Sequence, residues 1–66
     1  MKFATILEAL IRSYHIDKEH LAKHLETDEK TIDDWLQGNS VPSHHQLEHL
    51  SDMYIMPLDL LEKSVK

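Results

Sequence analysis

The chain predicts an all-α fold of five short helices. Three observations carry this expectation. Apolar residues recur at helical spacing along the chain, and no stretch alternates as a strand would. Side chains that cap helix N-termini well stand before three of the apolar stretches, at Asp17, Asp28 and Ser43. The few helix-breaking residues, Gly38, Pro42 and Pro57, fall between stretches, where they act as punctuation.

The first helix is expected from Phe3 to Tyr14. Phe3, Ile6, Leu7, Leu10, Ile11 and Tyr14 form a wide apolar stripe on it. Phe3, Ile6 and Ile11 each read singly as core, but the stripe as a set is wide enough to leave one of them exposed for another chain. The second helix starts at the cap Asp17, with Ile16 and Leu21 placed as a hydrophobic staple, and Ala22 and Leu25 continue its inner face. The third starts at the cap Asp28, buries Ile32, Trp35 and Leu36, and ends at Gly38, which suits a left-handed C′ position. After the loop 38–42, Ser43 caps the fourth helix with Gln46 three residues on, a capping box, and Leu47, Leu50, Met53 and Tyr54 face inward. The fifth is short, with Pro57 near its first turn, followed by Leu58, Leu60 and Leu61. Val65 and Lys66 are expected to fray. Met53, Met56 and Leu60 offer an adaptable apolar surface to a partner.

Sixty-six residues make a single domain, 1–66, with a marginal core, because so small a chain buries only about 60% of its unfolded surface. There is no cysteine, which excludes disulfides and thiolate metal sites. Neither a signal peptide nor an apolar run of membrane-spanning length is visible, so no membrane is expected and a cytoplasmic setting is. No phosphate loop, nucleophile elbow or paired carboxylates appear, and neither an enzyme nor a cofactor is expected. Six histidines include the i,i+4 pairs His20–His24 and His45–His49, which suit zinc in spacing. Both pairs lie away from the apolar stripes without an evident third ligand, so no metal is expected and they read, with His44, as solvated surface.

The formal net charge is −5, from seven bases and twelve acids. Four of those five charges fall in residues 17–38, where seven acids face three lysines. In that segment Leu21, Ala22 and Leu25 precede a short turn at Glu26 and Thr27, and Ile32 follows four residues after the cap Asp28. The small Ala22 permits a close helix crossing, and Leu25 and Ile32 fill the angle. This is the spacing of a helix–turn–helix.

With these residues on the page the chain resembles the lambda-repressor-like (XRE, Cro-type) helix–turn–helix family. The resemblance rests on the run from Ile16 to Leu25, then Thr31, Ile32, Trp35, Gly38 and Pro42, then Leu47 and Leu50, and finally Pro57 to Leu61. It covers about Phe3 to Glu62. It implies a five-helix domain that binds operator DNA, usually as a homodimer, and regulates transcription. It further implies that Lys18 meets a phosphate and that Glu29 and Lys30 read bases. Asp33 and Asp34 then face the groove one turn later, and the backbone near Gln37, Gly38 and Asn39 meets phosphate. Three residues depart from the family pattern. Glu26 and Ile55 stand where glycine is usual, and a left-handed backbone there is strained by roughly 1 kcal/mol. Glu8 replaces a base.

Two functions are therefore carried forward. One is a regulator that lays its third helix in the major groove of double-stranded DNA. The other is a protein-binding module, an antirepressor of the kind found in phages and mobile elements, that docks the acidic third helix on a partner repressor. Phosphate contacts supply much of the affinity for DNA, which four acids against one lysine on the reading helix oppose.

Overall fold

A computed structural model describes residues 2–65, and the expected fraying of Lys66 lies outside them. The chain forms α1 (Phe3–Tyr14), α2 (Lys18–His24), α3 (Glu29–Gln37), α4 (His44–Tyr54) and α5 (Leu58–Ser64), with no strand among the described residues. α3 packs between α1 and α2, and α5 lies on α4 and closes against α1.

Three of the helices, α2, α3 and α4, start at a side-chain cap, whereas α1 and α5 have none. Asp17 accepts from the backbone N–H of Glu19, and Asp28 from that of Thr31. Ser43 and Gln46 complete a reciprocal capping box, with bonds of 2.8 and 3.3 Å. Pro57 has no side chain to cap with, and its carbonyl accepts the N–H groups of Leu60 and Leu61 instead.

Four helices end in the same way, with a left-handed residue whose successor bonds to the carbonyl five residues back. Ile16 donates to the Ile11 carbonyl, Thr27 to Ala22, Asn39 to Asp34 and Met56 to Ser51. The left-handed residues are His15 (φ 52°), Glu26 (φ 56°), Gly38 (φ 80°) and Ile55 (φ 48°). Only Gly38 adopts this conformation without a steric penalty.

The core is continuous. Phe3, Ile6, Leu7 and Leu10 of α1 meet Leu21, Ala22 and Leu25, then Ile32 and Trp35, Leu47 and Leu50, and Leu61. Trp35 is buried, and its ring meets Phe3 edge to face at 6.0 Å and 82°. No buried side-chain polar atom among the described residues lacks a partner.

Several expectations are corrected. Phe3 and Ile6 are buried and Ile11 is half-buried, because α3 and α5 together cover the wide stripe of α1. Met53 and Met56 are partly buried against the core, whereas Leu60 is exposed. Leu36 is only half-buried. Val65 does not stand away from the fold: it is half-buried against the core and its N–H reaches the Glu62 carbonyl. Tyr14 lies past the reach of the core, exposed, with its ring 5.2 Å from that of Tyr54.

Two substitutions separate packing from backbone strain. Trp35→Ala opens a cavity between α1 and α3 and is expected to cost about 3–5 kcal/mol in urea denaturation. Gly38→Ala meets no atom within 4 Å, so its only cost is the left-handed backbone, about 1 kcal/mol. Equal losses for the two would contradict this separation.

Candidate nucleic-acid interface

α3 is rotated by its two buried residues. With Ile32 and Trp35 inside, Lys30, Asp34 and Gln37 share the opposite side at i, i+4 and i+7 spacing. Glu29, Lys30 and Gln37 are exposed, Asp33 and Asp34 half-buried. Asn39 follows in the exposed loop, where its amide donates to the Gln37 Oε1 at 3.1 Å. That bond leaves Gln37 Nε2 and Asn39 Oδ1 turned to solvent, a donor and an acceptor next to each other.

Asp33 and Lys18 were both expected to meet DNA independently. Instead they meet each other: Lys18 Nζ donates to Asp33 Oδ1 at 2.8 Å, joining the first turn of α2 to the middle of α3. The hydrogen bond to Asp33 and its charge raise the Lys18 pKa above the ordinary lysine value. Fifteen residues separate the two in sequence, and the packing of α2 against α3 brings them together. One acid of α3 is thereby neutralised, and one expected phosphate contact is occupied. Asp34 has no ion pair among the described residues.

Of the three lysines in residues 17–38, Lys23 lies 3.7 Å from Glu19, an i,i+4 pair, and Lys30 has no carboxylate within ion-pair distance among the described residues. Lys30 is thus the uncommitted cation of this surface. Glu8, which stands where a base is usual, pairs with Arg12 at 2.9 Å.

At the N-terminus of α3, Asp28 accepts from both the hydroxyl and the backbone N–H of Thr31, at 2.7 and 2.9 Å. The hydroxyl bond first, and the backbone bond second, hold the Asp28 carboxyl below the usual aspartate range. Thr31, one of the neutral donors available near the interface, is therefore engaged in the cap.

His20, His24, His44 and His45 are exposed, and His49 is half-buried. The His20–His24 and His45–His49 rings stand 6.0 and 4.6 Å apart, and among the described residues no group of three ligands converges on a common point. His44 is more than surface. Its Nε2 lies 3.1 Å from Glu48 and its Nδ1 3.0 Å from Glu62, so it bridges α4 to α5. The i,i+4 spacing to Glu48 is legible in the sequence, whereas the reach to Glu62 depends on how α5 folds back.

No helix among the described residues is long and apolar enough to cross a membrane. No protein-family model, curated protein or solved structure matches the chain.

The lowered pKa of Asp28 has a defined sign. Its contribution to stability is present above the ordinary aspartate range and is lost as pH falls through its folded-state value. Thr31→Val is expected to raise the Asp28 titration midpoint, followed by carboxyl NMR, toward that of a free aspartate. A midpoint that stays put would remove the hydroxyl as the main cause.

Proposed function

We propose that the chain is a transcriptional regulator of the lambda-repressor-like helix–turn–helix class that binds operator DNA through α3. The observation that carries this reading is the placement of Lys30 and Gln37. Both are exposed side chains able to hydrogen-bond base edges, and both lie on the line of α3 opposite its buried residues. The turn at Glu26 supports it, because its left-handed closure takes the position where this class commonly has glycine.

In this reading α3 enters the major groove. Lys30 donates to the O6 and N7 acceptors of guanine, Gln37 pairs with an adenine edge, and Glu29 accepts from a cytosine amine. Asn39 and the backbone at Gly38 meet phosphate. Lys18 exchanges Asp33 for a phosphate oxygen. The exchange is accessible because the pair is partly solvent-exposed and screened by salt. With about two lysines engaged, the affinity falls only gently with salt, roughly as the second power of its concentration.

A second reading has an observation of its own. Asp34 has no ion pair among the described residues and Glu29 is exposed at the start of the same helix, so a basic protein surface, such as that of a partner repressor, also finds complementary charge on α3. The two readings respond in opposite directions to one substitution. Asp33→Asn removes a negative charge and releases Lys18. For DNA, binding is expected to tighten and the salt slope to steepen by about one unit. For a basic protein partner, binding is expected to weaken. Lys30→Ala reverses both signs. Fluorescence anisotropy on selected DNA sequences at several salt concentrations reads the outcome. An Asp33→Asn protein that loses DNA affinity would overturn the operator reading.

A further inference from the structure

Two histidine pairs take no part in the operator reading, His20–His24 on α2 and His45–His49 on α4. A spacing of four residues places both members of a pair on one side of their helix, about 5–6 Å apart at Cβ. Two imidazoles so placed act as one bidentate ligand, because the second nitrogen meets an ion that the first already holds. The two pairs are not equivalent.

The ring centres of His45 and His49 are 4.6 Å apart, whereas those of His20 and His24 are 6.0 Å apart. With metal–nitrogen bonds of about 2.0 Å, rings that share one ion at a right angle have centres about 4.5 Å apart, and at the tetrahedral angle about 5.2 Å apart. The α4 pair stands at the first of these separations, and the α2 pair is wider than either. His49 is half-buried, so part of the freedom of its ring is already lost on folding, whereas both rings of the α2 pair are exposed. A carboxylate follows each member of the α4 pair three residues on, Glu48 after His45 and Asp52 after His49, at the spacing where helical side chains are neighbours. These acids place negative charge beside the pair and supply acceptors for the ring N–H groups that face away from an ion. The adjacent His44 is not a ligand, because both of its nitrogens are engaged, one with Glu48 and one with Glu62.

We propose that His45 and His49 chelate a divalent transition-metal ion, with a preference for copper(II). Imidazole nitrogens suit copper, nickel and zinc, whereas magnesium and calcium take oxygen donors. Copper(II) has the highest affinity of the series for such sites, and a right angle is the angle between neighbouring corners of its tetragonal plane. The chain has no cysteine, so no thiolate draws the ion elsewhere. No group of three ligands converges among the described residues, so water or an external donor takes the remaining positions and the site is an open one. The net charge of −5 concentrates cations around the chain. Both ligands lie one turn apart on α4, so the ion binds the folded helix better than the unfolded chain and raises its stability.

The test uses no DNA, so its failure and that of the operator reading are distinguishable. Copper(II) chloride is titrated into the full chain while the histidine ring signals are followed by NMR, since the paramagnetic ion broadens the nearest nuclei first. Below one equivalent, the His45 and His49 signals are expected to vanish before those of His20 and His24. Copper(II) is expected to raise the melting temperature of the wild-type chain, and magnesium is expected to leave it unchanged. In a His20→Gln background, which removes the α2 pair as a competitor, His45→Gln is expected to weaken copper(II) binding in calorimetry by roughly a hundredfold, the advantage of a second linked donor. His45 is exposed, so the same variant is expected to keep the metal-free melting temperature and to lose the rise with copper(II). Broadening that reaches all six histidines together, or a His45→Gln protein that binds copper(II) as tightly as its parent, overturns the proposal.

Discussion

The seating of Trp35 against Phe3 is the contact on which the arrangement of the other parts rests. α3 is nine residues long, too short to be stable by itself, and it owes its persistence to what it buries. Ile32 and Trp35 are both sunk into the core, and the edge-to-face ring contact fixes Trp35 against the first turn of α1. Once those two side chains are inside, the rotation of α3 about its own axis has no remaining freedom. Lys30, Asp34 and Gln37 must then face away from α1, and Asp33 must lean toward α2. The outward surface of α3 is thus a consequence of hydrophobic burial on the other side of the same short helix.

The electrostatics of that surface differ from a count of formal charges. Seven acids and three lysines in residues 17–38 describe an acidic segment. In the folded chain Asp17 and Asp28 are engaged as caps, and Asp33 is paired with Lys18. What α3 presents outward is a smaller set: Glu29, Asp34 and an uncommitted Lys30. The Lys18–Asp33 pair is partly exposed and held against modest competition from water. That makes it a contact a phosphate group is able to displace, where a buried pair would resist. The same pair ties α2 to α3 in the isolated chain and, under the proposed operator reading, yields a cation to phosphate.

Helix termination gives this fold its character. Four of the five helices close through a left-handed residue, and three of those residues are not glycine. Strain of this kind persists where neighbouring structure over-determines it. At His15 and Glu26 the residues that follow, Ile16 and Thr27, are drawn back by backbone hydrogen bonds, and Ile16 packs against the core. Ile55 is held in the same way, through Met56, which bonds back to Ser51 and packs against the core, while the Ile55 side chain itself is 95% exposed.

Much of the fold is legible before any coordinates. Asp17, Asp28, Ser43 with Gln46, and Gly38 act on backbone groups within a few residues, so their roles follow from local chemistry alone. The amphipathic spacing of α1 and α3 likewise identifies Phe3, Leu7, Ile32 and Trp35 as inward, since a helix with one apolar side has one way to bury it. The left-handed positions at Glu26 and Ile55 were foreseeable through the family resemblance, and His15 was not, because nothing in its residue type asks for positive φ. The candidate site was half legible. Lys30 and Gln37 face outward as the helical period dictates, but the engagement of Lys18 with Asp33 and the reach of His44 to Glu62 were invisible. So was the turning of Tyr14 out of the core to meet Tyr54. Each of these joins residues far apart along the chain. Such partnerships depend on the distance and rotation between helices, and only close packing of the shared core sets those two quantities.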